Sequence, residues 1–228
     1  MLAGLLALQH ADSAFPSGSF AFSNGIEGLA AVDPNFGADG LIRAVSAILH
    51  HRWAGSERVA LTLAHRAAGD LAQLAEIDHA IEAATLAETM RQGSRRNGAS
   101  LLVTHVRLGT PGAAELRSAL TAGTVLGHLP VVQGVLWRGL GLDEVAAAQM
   151  SGYQTVAGLV TAAIRLGGVG AIEAQRIVGA VLPVLAETLA EPVESPTRPD
   201  AIRLESFTPL VEIAAARHAR ADLRLFAN

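Results

Sequence analysis

Apolar residues along most of the chain recur three and four positions apart, the spacing that places side chains on one face of an α-helix. Two stretches show this most clearly: Leu41, Ile42, Val45, Ile48 and Leu49 in the first, and Leu71, Leu74, Ile77, Ile81 and Leu86 in the second. The best candidate for a strand, LLVTHV at 101–106, lies within helical surroundings. The pattern therefore predicts an all-α, single-domain helical bundle of roughly eight to ten helices.

Turn-forming residues divide this pattern into segments. An apolar segment from Met1 to Ala11 predicts a short buried helix, which ends in the DSAFPSGSF loop at 12–20. Gly55 is expected to interrupt the helix that starts after Asp39. Asp70 and Asp143 stand at N-cap positions of two further helices, because their carboxylates can accept the free backbone N–H groups there.

The C-terminal part of the chain divides at a proline-rich stretch. Residues 191–208 contain three closely spaced prolines and predict an exposed linker. A last helix is predicted from Pro209, so residues 209–228 form a C-terminal helix and tail. We assign residues 1–228 to one domain.

Two missing residue types exclude several kinds of chemistry. The chain has no cysteine, which excludes disulfides, thiolate metal sites and a cysteine nucleophile. All 17 basic residues are arginine, so there is no lysine for a Schiff base or for a phosphate-binding P-loop. If nucleotide hydrolysis belongs to the biology of this chain, another protein must perform it.

Charge and hydropathy argue against nucleic acid and membranes as partners of this chain. The net charge of -4 gives no global attraction to nucleic acid or to an anionic membrane. The uncharged run at 145–164 contains several polar residues and two glycines, so we interpret it as a buried helix and not as a membrane span. The first basic residue is Arg43, and the positively charged start of a signal peptide is missing. We expect a cytoplasmic protein that binds neither nucleic acid nor membrane.

One group of residues has the spacing of metal ligands. Glu76, His79 and Glu82 share a helix face at i, i+3 and i+6, and would suit a metal-binding helical-bundle enzyme. A solvated polar face is the alternative, and we favour it because charged residues are mostly exposed. No other spacing selects a catalytic residue, a cofactor site or a metal ligand, so we expect a non-enzymatic protein that binds other proteins.

Three stretches together resemble the urease accessory protein UreF family. The first is LQHADSAFPSGSF at 8–20, continued by Ser23, Gly25 and Glu27. The second is GHLPVVQG at 127–134, followed by Arg-Leu-Gly at 165–167. The third runs from Pro209 through His218 to RLFAN at 224–228. The resemblance extends over nearly the whole chain, and the first stretch is the most specific.

The resemblance implies a function in urease maturation. A member of this family is an adaptor that forms a homodimer and assembles with UreD/UreH and the GTPase UreG. That complex delivers nickel to the active site of apo-urease, and the adaptor is a candidate modulator of GTP hydrolysis by UreG.

The resemblance also assigns partner-binding or dimer-interface residues to this chain. They are Asp12, Phe15, Pro16, Phe20, Glu27, His218, Arg224, Leu225 and Phe226. Aromatic and arginine side chains are common anchors at protein interfaces. Phe15 could instead pack the loop onto the core, and we favour this role for it. For Arg224 and Phe226 we favour contact with a partner.

Overall fold

The computed structural model describes residues 1–67, 69–194, 202–221 and 225–226. Its α-helices are α1 (Leu2–Ala11), α2 (Ile26–Val32), α3 (Ala38–Ile48), α4 (Arg58–Ala67), α5 (Leu71–Ala84), α6 (Glu88–Leu108), α7 (Ala113–Thr121), α8 (Leu129–Gly139), α9 (Glu144–Arg165), α10 (Ala171–Ala190) and α11 (Pro209–His218). Within these described ranges there is no strand, and the predicted all-α fold is confirmed.

The predicted caps of α5 and α9 form as expected. The Asp70 side chain accepts the backbone N–H groups of Ala72 and Gln73, and the Asp143 side chain accepts that of Ala146. Each carboxylate satisfies donors that the first helical turn leaves without partners.

The predicted break at Gly55 was wrong. Helices α3 and α4 are joined by a π-helical segment, Leu49–Glu57, so the chain stays helical from residue 38 to residue 67. The glycine instead allows the backbone of Glu205 to pack closely against the helix. A Cβ at position 55 would lie 2.7 Å from the carbonyl oxygen of Glu205.

Residues 202–208, which we call the strap, lie along this π-helical segment. The backbone N–H of Glu205 donates to the Gly55 carbonyl at 2.8 Å, and that of Phe207 donates to the His51 carbonyl at 2.6 Å. Ile202 and Leu204 pack against the core. This part of the expected exposed linker is therefore attached to the molecule and holds the start of α11.

Among the described residues the core consists of two apolar clusters, and α9 contributes residues to both. Trp53 lies in the cluster formed mainly by α3, α9 and α10, and Trp137 lies in the cluster formed mainly by α4, α5, α6 and α8. Of the predicted stripe on α5, Leu74, Ile77 and Ile81 are buried, whereas the flanking Leu71 and Leu86 are exposed. No helix among the described residues is both long enough and apolar enough to cross a membrane.

The expectation that α1 is buried was wrong for most of its length. Leu2, Leu5 and Leu8 are 59–70% exposed, and His10 is the residue of this helix that is buried. The helix is apolar on all sides, so its sequence does not mark which face turns inward. It packs on α9 and leaves a row of leucines on the surface.

Candidate partner-binding site

Close packing of α2 against α11 brings the N-terminal loop (residues 12–25) near the described part of the C-terminal tail, residues 219–221 and 225–226. A Cβ on Gly28 would lie 2.6 Å from the backbone of Ala214, and one on Gly25 would lie 2.4 Å from the Val211 side chain. Gly25 also has φ +99°, a conformation that favours glycine. These two glycines therefore allow the two helices to approach closely.

We call the site that results the loop–tail junction. It consists of Phe20, Glu27, Arg165, His218, Leu225 and Phe226. Five of these six residues were predicted from the resemblance, and the structure brings them together. Arg224, also predicted, lies outside the described residues.

Glu27 is the anchor of the tail. Its side chain is buried, and its carboxylate accepts the backbone N–H of Leu225 at 2.6 Å and that of Phe226 at 3.2 Å. The His218 Nε2 atom lies 3.2 Å from the same carboxylate. Hydrogen bonds to a charged group are worth about 1.5–3 kcal/mol each, so this carboxylate holds the backbone at residues 225 and 226.

Arg165, the last residue of α9, lies between two aromatic rings. Its guanidinium carbon is 3.8 Å from the ring centroid of Phe20 and 4.2 Å from that of Phe226. One guanidinium nitrogen also donates to the Phe20 carbonyl. Arg165 thus contacts the N-terminal loop and the C-terminal tail at the same time.

We did not predict Arg165 as a site residue. Its position in the Arg-Leu-Gly stretch of the resemblance was the one available signal, and it did not indicate a role. The two rings come from distant parts of the chain, and no helical period connects them with residue 165.

Neighbouring residues of the tail point in opposite directions. Phe226 is 5% exposed and belongs to the core, whereas Leu225 is 52% exposed. Phe20 is 67% exposed although one of its faces lies on Arg165. The junction therefore combines a fixed backbone with apolar side chains that remain accessible.

The outward face of α11, together with Phe207 of the strap just before it, adds a further apolar row. Phe207, Leu210 and Ile213 follow one another at intervals of three residues and are 58–73% exposed. Arg217 and Arg220 lie exposed near the end of the same helix. The described part of the C-terminal segment thus presents an apolar row with positive charge at one end.

The other predicted loop residues hold the loop in place. The Asp12 carboxylate accepts the backbone N–H of Ala14 at 2.7 Å, and the Pro16 carbonyl accepts the Thr104 hydroxyl at 2.7 Å. Phe15 is half-buried and packs on the rings of His10 and His105 at 4.5 and 5.6 Å. Phe15 therefore packs the loop onto the core, and its contact with a partner stays a prediction.

The alternative metal site on α5 does not form. Glu82 is engaged by His128 at 2.7 Å and by Arg95 at 3.2 Å, while Glu76 and His79 are exposed. Among the described residues, no group of three or more His, Cys, Asp or Glu side chains could hold a metal ion.

The neighbouring Asp78 has a structural role in the GHLPVVQG stretch. Its buried carboxylate accepts the backbone N–H groups of residues 126, 127 and 128. Burial raises the pKa of Asp78, whereas burial lowers the pKa of His128. This network fixes the loop before α8.

Comparison with known proteins agrees with the resemblance. The UreF family profile matches residues 37–182. The chain is 33% identical to urease accessory protein UreF 1 of Brucella melitensis biotype 1, over 100% of this chain and 94% of that protein. It is 28% identical to urease accessory protein UreF of Trichodesmium erythraeum, over 98% of this chain and 96% of that protein. It is 29% identical to urease accessory protein UreF of Bacillus sp. strain TB-90, over 97% of this chain and 98% of that protein.

The matched residues extend over most of the helical core, and the alignments with the relatives also include the loop and the tail that meet at the junction. The predicted family is therefore confirmed: the chain belongs to the UreF family of urease accessory proteins.

Proposed function

We propose that this chain is a non-enzymatic adaptor of urease maturation. It assembles with UreD/UreH and the GTPase UreG, and the complex delivers nickel to the active site of apo-urease in the cytoplasm. The adaptor modulates GTP hydrolysis by UreG. The family supports this proposal, as does the absence of lysine, which leaves no P-loop in the chain.

One observation carries the proposed role of the tail. Glu27 and Arg165 fix the backbone and the ring of residue 226, while Leu225 and the apolar row on α11 stay accessible. A preorganised apolar surface loses little conformational entropy on binding. We assign this surface to UreD/UreH, and the exposed Phe20 side of the loop to the assembled complex that includes UreG.

Capture of UreD/UreH tests the role of the tail. Deletion of residues 220–228 should abolish capture, and Leu225→Asp should weaken it, because a charge would enter an apolar interface. Leu182→Asp is the matched control, since Leu182 is an exposed leucine on α10. Thermal unfolding shows whether each variant folds. If the folded truncated chain captures UreD/UreH as well as the full chain does, the tail is not the binding element.

We also propose that the chain forms a homodimer. The exposed leucines of α1 support this, because α1 carries no charged residue and exposes Leu2, Leu5 and Leu8. Analytical ultracentrifugation of the wild-type chain should show a dimer, and Leu5→Glu should shift it towards monomer. A wild-type chain that is monomeric at micromolar concentration would overturn this part of the proposal.

A further inference from the structure

Two buried histidines lie beneath the N-terminal loop. His10, near the end of α1, is 4% exposed, and His105, on α6, is fully buried. Their rings are stacked with their centroids 5.2 Å apart, and Phe15 packs on both of them. Neither histidine has a role in the loop–tail junction.

Helix α1 and residues 12–20 cover these rings, and we call this segment the lid. His10 is the one residue of the lid that is buried, and the leucines at positions 2, 5 and 8 are exposed. Side-chain donors from α6 and α9 attach the lid through its backbone carbonyls: Gln154 to His10, Thr104 to Pro16, and Arg165 to Phe20. A segment with so few buried side chains opens more easily than the core.

A proton on His105 would have no acceptor at Nε2 while the lid is closed. The Nδ1 atom lies 2.9 Å from the Thr110 hydroxyl, whereas Nε2 is buried without a hydrogen-bond partner among the described residues. The imidazolium carries an N–H group at both nitrogens, so protonation would bury a charged donor that nothing satisfies. Burial, with a smaller contribution from His10, lowers the pKa of His105 to about 4. His105 is therefore neutral at pH 7.

The surroundings do not compensate a charge on this ring. His10 is the titratable group that faces His105, and a charge on it would oppose one on His105. Among the described residues, neither ring forms an ion pair. Gln154 of α9, which holds the lid, is neutral, as is its partner Gln133 of α8. The charged residues of the adjoining segments are exposed: Asp12, Arg107, Glu115, Arg117 and Arg138.

We propose that the lid is a proton-sensitive element of the fold, in which uptake of a proton by His105 releases the lid from α6 and α9. In the open form water reaches the ring, and its pKa returns to the ordinary value of 6.5. Because the open form binds the proton more tightly than the closed form does, closure is strongest above pH 6.5 and weakens as the pH falls towards 4. The ratio of open to closed molecules should rise about tenfold between pH 7.5 and pH 5.5.

Release of the lid affects two surfaces of the molecule. The lid carries the exposed leucines of α1 and the loop residues Asp12, Phe15, Pro16 and Phe20. Mild acid should therefore displace the surface that we propose for the homodimer together with part of the loop–tail junction. The opening itself depends on the packing of His105 and not on the role of the chain in urease maturation.

Amide hydrogen exchange of the full chain, corrected for the intrinsic exchange rate at each pH, tests the proposal. The reporters are the amides of Phe15 and Ser17, which donate to carbonyls within the lid at 3.0 and 2.7 Å. Their protection should fall about tenfold from pH 7.5 to pH 5.5 in the wild-type chain. In His105→Gln it should be equal at both pH values, because an amide side chain does not titrate. His79→Gln, at an exposed histidine of α5, is the matched control and should keep the tenfold change.

Thr104→Val separates proton uptake from a general loosening of the lid. This variant loses the hydrogen bond to the Pro16 carbonyl, so protection should be lower at both pH values while the tenfold ratio between them remains. The proposal is overturned if protection in the wild-type chain does not change with pH, or if the tenfold change persists in His105→Gln.

Nitrogen NMR of the imidazole rings in the wild-type chain provides a test that does not depend on the folding of any variant. The His105 ring should be neutral at pH 5.5 in molecules whose lid is closed. A protonated His105 ring at pH 5.5, with the Phe15 and Ser17 amides as protected as at pH 7.5, would show that the closed lid accommodates the charge and would overturn the proposal.

Discussion

Glu27 connects a helix near the N-terminus with the last residues of the chain through two backbone hydrogen bonds. Glu27→Ala should release the tail and lower the free energy of unfolding by about 2–4 kcal/mol, because two charge-assisted hydrogen bonds are lost. Hydrogen exchange at the amides of Leu225 and Phe226 measures the release directly. Glu187→Ala, at an exposed carboxylate of α10, is the control and should change neither quantity appreciably. Slow exchange at both amides in Glu27→Ala would show that the carboxylate does not hold the tail.

A second prediction concerns Arg165, at the same loop–tail junction. Arg165→Ala should speed amide exchange in both the N-terminal loop and the tail, because one guanidinium contacts Phe20 and Phe226. The expected loss of stability is about 1–3 kcal/mol, and Arg165→Lys should recover part of it, since an ammonium also attracts an aromatic face. Arg176→Ala, at an exposed position of α10, should have little effect. A change confined to the loop alone, or to the tail alone, would contradict the double contact.

The sequence accounts for some of these residues and not for others. Phe20, Glu27, His218, Leu225 and Phe226 were predicted because they belong to stretches that resemble the UreF family. Arg165 was missed because its partners, Phe20 and Phe226, are distant in sequence and meet it only through the packing of α2, α9 and α11. The Glu27 hydrogen bonds also determine that the Phe226 side chain is buried and the Leu225 side chain exposed. No local sequence pattern predicts these bonds.

Whole elements were predictable where local rules decide them. The caps at Asp70 and Asp143 followed from side-chain chemistry, and the helical segments followed from apolar spacing. The continuous helix through Gly55 was not predictable, because the reason for the glycine is the strap, about 150 residues further along the chain. The exposure of α1 was missed because the helix is apolar on every side.

Substitution of glycine by alanine should change the free energy of unfolding in opposite directions at Gly55 and at Gly158. Glycine to alanine normally stabilises a helix interior by about 0.5–1 kcal/mol, and Gly158→Ala should do so because no atom lies within 4 Å of the added Cβ. Gly55→Ala should instead destabilise the protein by about 1–3 kcal/mol, since its Cβ would displace the strap at Glu205. Urea unfolding of the two variants measures both signs. Stabilisation by Gly55→Ala would show that the strap is not closely packed on the π-helical segment.

At the scale of the whole molecule, composition, apolar spacing and family resemblance pointed to the same conclusion. The all-α fold and the UreF family are confirmed. The chain lacks cysteine and lysine, and its described parts bring accessible apolar side chains to the loop–tail junction, to α11 and to α1. Such a molecule is suited to binding proteins, and assembly with UreD/UreH, UreG and apo-urease is the function that we propose for it.

Nickel-dependent activation of urease tests this account most directly. Apo-urease, UreD/UreH and UreG from the same source should be supplied with Ni²⁺ and GTP, and urease activity measured with the full chain, with a chain that lacks residues 220–228, and with no addition. We predict activation by the full chain, and no more than the background without addition for the truncated chain, because it cannot present the tail to UreD/UreH. Equal activation by the full and the truncated chain, or no activation by the full chain, would contradict the account.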